Sequence, residues 1–257
     1  MKIALVQTKL HWELPVANRA MLEEKIWKTS ENFDLLILPE MFTTGFSMET
    51  RAAEPSHVHT LKWMQQMAAQ GNTAITGSVM TAFESGFVNR LYWVQPDGKY
   101  FTYDKRHLFR MANEHQNYQS GHEKLIIHWR GFTFCPLICY DLRFPVWSRN
   151  VNLAYDVLLY VANWPQARIS AWTALLQARA IENLSYCVGV NRTGIDANEI
   201  FYNGQSACFD FKGETMLNLG EEESIQMVNL DKDALDQFRQ KFPAHLDQDI
   251  FTIEKDI

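Results

Sequence analysis

The feature that most constrains this chain is the stretch Phe132 to Asn150, FTFCPLICYDLRFPVWSRN. It begins as an apolar run of strand length, Phe132 to Ile138, and changes character at Cys139. After Tyr140, Asp141, Leu142, Arg143 and Phe144, Pro145 opens what reads as a helix, because proline is pre-organised for the first helical position. A buried strand that delivers a cysteine to its C-terminal end presents a thiol at the mouth of a sheet, where ligands of open α/β sheets gather. A helix start beyond it adds free N–H groups and partial positive charge. Those features are expected to lower the thiol's pKa and to hold a developing oxyanion. The plainer reading is that of most buried cysteines, which are inert small hydrophobes. The rest of the chain has to decide between them.

Strands and helices alternate around this stretch. Apolar or β-branched runs predict strands at Ile3 to Gln7, Asp34 to Glu40, Thr73 to Val79, Lys124 to His128, Val157 to Ala162, Tyr186 to Asn191, Gln205 to Asp210 and Ile225 to Leu230. Asn89 to Val94 and Tyr100 to Asp104 flank the turn Gln95-Pro-Asp-Gly98 and predict a hairpin. Helical spacing predicts helices from Pro15 to about Thr29, Val58 to Gln70 with Gly71 as its stop, Ile169 to Asn183, and Lys232 to Gln240. Residues 106–123 read as a loop. With no repeat and no Pro/Gly/Ser-rich linker, the chain reads as one α/β domain over 1–257, with a tail from about Phe242. The hairpin argues against a purely parallel sheet.

Composition narrows the function classes. The net charge of −6 leaves no basic footprint for nucleic acid. No apolar run reaches the ~18 residues of a membrane span, and the N-terminus reads as a first strand rather than a signal peptide. Cys135, Cys139, Cys187 and Cys208 form no close C-x-x-C pair, which fits free thiols in a reducing cytoplasm. The spacings match no zinc pattern, and His57-x-His59 has no cysteine neighbour.

Three polar residues stand where apolar strands stop: Glu40, Lys105 and Cys139. Singly, the first two would pass for solvated surface charges. Together their segments resemble the nitrilase (carbon–nitrogen hydrolase) superfamily. Leu38-Pro39-Glu40 with Phe42, Tyr103-Asp-Lys105-Arg-His107-Leu-Phe109, and Leu137-Ile-Cys139-Tyr-Asp141-Leu-Arg143-Phe-Pro145 look like its three signatures. Gln177 to Asn183 resembles a fourth.

The resemblance implies a four-layer αββα sandwich, a homodimer, no metal, no cofactor, and a catalytic Glu40–Lys105–Cys139 set. In those roles Glu40 is the base that takes the thiol proton. Lys105 and the Tyr140 backbone N–H hold the oxyanion, and a thioester forms on Cys139. Glu114 matches a second family glutamate that orients Lys105 or the substrate amide. Family geometry brings Phe42 and Trp164, the latter in Asn163-Trp164-Pro165, to the pocket wall, with Arg168 as a candidate anchor for a substrate carboxylate. Asp141 and Arg143 read as a structural ion pair holding the turn, and Arg179 and Glu182 as a helix packing pair.

Cys139-Tyr140-Asp141 departs from the Cys-Trp-Glu of nitrile hydrolysers. It looks like the amidase and omega-amidase branch, which cleaves the terminal amide of small 2-oxo dicarboxylic acid monoamides such as 2-oxoglutaramate and 2-oxosuccinamate. The alternatives are an N-carbamoyl amide hydrolase or nitrilase of the same superfamily, and a catalytically silent nitrilase-like binding module.

Overall fold

The computed structural model describes residues 1–52, 58–83 and 86–253. The expectations that fall on His57 and on the end of the tail lie outside them. In chain order the strands and helices are β1 (Lys2–Gln7), α1 (Pro15–Trp27), β2 (Leu35–Ile37), α2 (Val58–Gly71), β3 (Ala74–Phe83), β4 (Gly86–Val94), β5 (Tyr100–Asp104), α3 (Glu114–Asn117), β6 (Ile127–Trp129), β7 (Phe132–Ile138), α4 (Pro145–Ser148), β8 (Val157–Ala162), α5 (Ile169–Asn183), β9 (Tyr186–Asn191), β10 (Thr193–Ile195), β11 (Phe201–Asn203), β12 (Ala207–Phe209), β13 (Thr215–Asn218), β14 (Ser224–Asn229) and α6 (Lys232–Lys241).

Two six-stranded sheets carry the architecture, ordered β14-β1-β2-β3-β4-β5 and β13-β12-β9-β8-β7-β6. Each has a parallel centre, β1-β2-β3 in one and β7-β8-β9 in the other, with antiparallel strands outside. Both are mixed sheets, and the hairpin read from the sequence is β4–β5 of the first.

Alternation along the strands sets the layers. In the first sheet Ile3, Leu5, Leu35, Ile37, Leu91 and Trp93 share one core with Phe134, Leu137 and Leu159 of the second sheet. The intervening Ala4, Val6, Leu36, Ile75, Tyr92 and Val94 pack instead against Leu22 of α1 and Trp63, Met64, Met67 and Ala68 of α2. Both faces of β1 and β2 are therefore buried, which is why their sequences are continuously apolar. On the second sheet α5 lies across β9 through Trp172, Leu176 and Ala180, all fully buried. Gly189 permits that approach: a Cβ there would stand 2.5 Å from Leu176 and 2.6 Å from Trp172. Helix on sheet, sheet on sheet, and sheet on helix give the αββα order.

Two local expectations need correction. Gly71 is the last residue of α2 rather than its stop, and Asn72 makes the left-handed turn, with φ +46°; asparagine is the commonest non-glycine residue there. Residues 106–123 are not all loop, since a 3₁₀ turn, Arg110–Ala112, leads into the single-turn α3.

Candidate active site

The chemistry-bearing residues gather at the carboxyl ends of strands from both sheets, as expected for open α/β sheets. Glu40 lies just beyond β2 and Lys105 directly follows β5, both in the first sheet. Cys139 directly follows β7, and Asn163 directly follows β8, in the second. The site is thus closed by packing one sheet on the other.

Lys105, Glu40 and Glu114 are all completely buried. Lys105 Nζ donates to Glu40 Oε1 at 2.9 Å and to both Glu114 oxygens at 2.9 Å. Its remaining face looks onto the Phe46 ring, 5.0 Å from the centroid. Asn89 Nδ2 reaches the same Glu40 oxygen at 2.8 Å. The other oxygen, Oε2, accepts from the Asn163 backbone N–H at 2.8 Å, and Phe109 N–H donates to Glu114 Oε2 at 2.6 Å. Burial alone would push the ammonium pKa down, but the two carboxylates outweigh it and hold Lys105 above its ordinary value. Burial pushes Glu114 up against the pull of Lys105, and the Glu40 carboxylate adds to the rise.

Cys139 sits at φ +43°, in the left-handed region that side chains rarely adopt. Strain of about 1–3 kcal/mol is usual for such a residue and recurs at functional sites. It turns the chain sharply from β7 into a 3₁₀ turn, Cys139–Arg143, and carries Sγ to within 3.9 Å of the Asn163 carbonyl. Left-handed residues also flank both carboxylates: Met41 at φ +44° follows Glu40, and Asn113 at φ +58° precedes Glu114.

The thiol does not behave as the sequence leads one to expect. The chain beyond Cys139 is a 3₁₀ turn followed by the single-turn α4, not a helix long enough to place a dipole on the sulfur. Burial, with the Glu40 carboxylate adding to it against Lys105, pushes the thiol well above its ordinary pKa. Burial thus favours the neutral form of the Cys139 thiol.

Asp141 and Arg143 are not an ion pair. Asp141, fully buried, accepts from Tyr103 OH at 2.7 Å, Ile138 N–H at 3.0 Å and His107 N–H at 3.0 Å, with His107 Nδ1 at 2.8 Å. It joins the end of β7 to the loop after Lys105. Arg143 lies over the Trp164 ring, 5.0 Å from its centroid. Arg179 and Glu182 do pair, at 2.9 Å.

A cavity opens above Cys139. Phe46, Tyr140, Arg143, Asn163, Trp164 and Arg168 line it together with Lys105 and Phe109. Trp164 and Arg168 are both among the lining residues. Arg168 lies over the Phe109 ring at 5.1 Å, and Trp164 packs on Trp172 at 5.5 Å. Phe42 does not line the cavity. It is fully buried on the other face of the first sheet against Trp63, at 5.9 Å, and the aromatic wall on that side is Phe46. Asn89 and Phe46 were not legible as site residues. The available signal for Asn89 was a polar residue inside the apolar strand β4, where a buried amide needs partners.

Comparison with known proteins gives one consistent result. A family model described as carbon-nitrogen hydrolase matches residues 2–240. The omega-amidase YafV of Escherichia coli K12 is 45% identical over 98% of both chains. A 2-oxoglutaramate amidase of Bacillus subtilis is 31% identical, covering 94% of this chain and 95% of its own. Among solved structures, XC1258 from Xanthomonas campestris, a CN-hydrolase superfamily protein with an arsenic adduct in its active site, superposes with a TM-score of 0.96 at 44% identity over 99% of each chain.

Proposed function

This chain belongs to the carbon–nitrogen hydrolase family and is an omega-amidase-type hydrolase, and we propose on that premise that it cleaves the terminal amide of small 2-oxo dicarboxylic acid monoamides. The observation that carries the reading is a cavity lined both by Cys139 and Lys105 and by the guanidinium-bearing Arg143 and Arg168. A short substrate with an amide at one end and a carboxylate at the other matches that pattern, because guanidinium groups recognise carboxylates bidentately.

The proposed reaction runs through Cys139, Glu40 and Lys105. Glu40 takes the thiol proton as sulfur bonds to the amide carbon, so no free thiolate precedes attack. That order suits a thiol held neutral by its surroundings. Lys105 and the Tyr140 backbone N–H take the developing oxyanion, while Glu114 keeps Lys105 in place. Glu40 returns its proton to the nitrogen as the C–N bond breaks, and ammonia leaves a thioester. A water then gives its proton to Glu40 and its oxygen to the carbonyl carbon. The C–S bond breaks and the sulfur recovers the proton, which restores the thiol and leaves the 2-oxo acid.

The three groups act as one coupled system. In this reading the enzyme works in the cytoplasm, as one domain in a homodimer. Free buried thiols are consistent with that compartment, and among the described residues no helix is long and apolar enough to cross a membrane.

The test is ammonia release from 2-oxoglutaramate, 2-oxosuccinamate, acetamide, a simple nitrile and a carbamoyl amino acid, with Cys139→Ala as the blank. The two monoamides should turn over far faster than the rest. Equal rates on acetamide and 2-oxosuccinamate would remove the substrate assignment, and carbon dioxide released with ammonia would favour the N-carbamoyl reading.

A further inference from the structure

We propose that Asn163 is a specificity-determining residue that reads the amino group leaving the substrate, and so makes the site prefer amides over esters. The inference rests on the amidase reading above and goes beyond the Glu40, Lys105, Cys139 and Glu114 roles.

Asn163 touches both partners of the proton transfer. Its backbone N–H holds Glu40 Oε2 at 2.8 Å, and its carbonyl lies 3.9 Å from Cys139 Sγ. Its side-chain Nδ2 donates to the Glu40 carbonyl at 2.6 Å and lies 3.5 Å from Glu40 Oε2. Those acceptors fix the amide plane and decide which end is nitrogen. The opposite end, Oδ1, is buried and has no hydrogen-bond partner among the described residues. Asn163 is only 5% exposed and lines the cavity beside Cys139. No other described lining residue carries a buried side-chain oxygen or nitrogen without a partner.

A buried carbonyl oxygen left unpaired costs about 1–3 kcal/mol, so such an orphan calls for an explanation. A substrate amide supplies one. Its –NH₂ carries two N–H groups and must stand near Glu40, which protonates it. With one N–H toward a carboxylate, the second can be accepted by Asn163 Oδ1. An ester of the same acid has no N–H at that position and would leave Oδ1 unpaired. Sites built around such a hydrogen bond reject the analogue that lacks it.

The test compares 2-oxoglutaramate with the ω-methyl ester of 2-oxoglutarate on the full-length protein and on Asn163→Ala. Loss of one neutral hydrogen bond corresponds to about tenfold. The amide-to-ester ratio of kcat/KM should therefore fall about tenfold in the variant, over and above any loss common to both substrates from the side-chain contacts with Glu40. The ratio does not depend on the folded fraction, so a poorly folding variant still reports, and Asn163→Ser should shift it in the same direction. An unchanged ratio, with both rates falling together, would overturn the inference and leave Asn163 as a support for Glu40. If the wild-type protein releases no ammonia from 2-oxoglutaramate while the ester turns over, the substrate reading fails instead.

Discussion

Lys105 Nζ stands 2.9 Å from both carboxylate oxygens of Glu114 but reaches only one oxygen of Glu40. The bidentate partner is therefore not the glutamate that takes the thiol proton in the proposed reaction. Two carboxylates share one buried cation, and Glu114 takes the larger part of it. Glu40 Oε2 accepts instead from N–H groups of Asn163. Glu114→Gln removes that division of charge while keeping the shape. Lys105 should then lean on Glu40 and weaken it as a base. We expect kcat to fall at least about 10²-fold, comparable to losing one oxyanion donor, with KM within about threefold. Steady-state kinetics checks this, and an unchanged kcat would reduce Glu114 to packing.

Lys105→Arg keeps the charge and changes its shape from a compact ammonium to a planar fork. Lys105 is completely buried, with three oxygens at 2.9 Å and the Phe46 ring on its remaining side. A guanidinium cannot meet those acceptors without displacing one of them. The expected loss is at least about 10²-fold in kcat. A near-normal kcat would mean that charge alone suffices.

Cys139 is 9% exposed, whereas Cys135, Cys187 and Cys208 show no exposure. Iodoacetamide should label one cysteine in the native protein and none in Cys139→Ala, by intact-mass measurement. Cys139→Ala should also abolish turnover, and alanine at the other three positions should retain it. Labelling at Cys135 or Cys187 would show that the buried face of β7 or β9 opens readily.

Stability should fall on the alkaline side. Burial pushes Cys135 up to about 12, and Cys187 and Cys208 above the ordinary thiol value. Unfolding returns each to an ordinary value near ~8.5. Between those values the folded state binds more protons than the unfolded one, so stability is fully present below pH ~8.5 and declines as pH rises toward the folded values. The melting temperature should drop between pH ~8.5 and ~10, and Cys135→Ala should make that slope shallower. A slope the same in Cys135→Ala would assign it to other groups.

Much of this was legible because apolar runs end sharply here. β8, α5 and β9 have the bounds the sequence predicts, Val157–Ala162, Ile169–Asn183 and Tyr186–Asn191. The three-residue strands β10 and β11 gave no such signal, being too short for alternation to show. The Phe42 expectation failed for a different reason. The expectation came from family geometry, whereas in this chain β2 ends at Ile37 and Met41 at φ +44° turns the backbone just after Glu40. Phe42 then drops into the helix-side core, and Phe46 returns to the cavity. Arg143 was misread because Asp141 two residues earlier was its obvious partner. Tyr103, Ile138 and His107 come from distant or backbone positions, and no local pattern announces that they already satisfy Asp141.

In the proposed reaction that correction makes Arg143 a second nominee, beside Arg168, for holding the substrate carboxylate. Arg143 and Arg168 both line the cavity, each laid over an aromatic ring, Trp164 and Phe109 respectively. Stacking fixes a guanidinium's plane while leaving its N–H edge available, so little ordering is needed to bind a carboxylate. Truncating one of the two should remove uniform binding: Arg143→Ala and Arg168→Ala should each raise KM for 2-oxoglutaramate about tenfold or more, with a smaller change in kcat. Neither should alter the slow rate on acetamide, which has no carboxylate to anchor. The double variant separates a shared clamp from two independent contacts, since residues acting on one group are non-additive. If both single variants keep wild-type KM on 2-oxoglutaramate, the carboxylate is held by backbone donors elsewhere, and the two arginines only shape the aromatic wall.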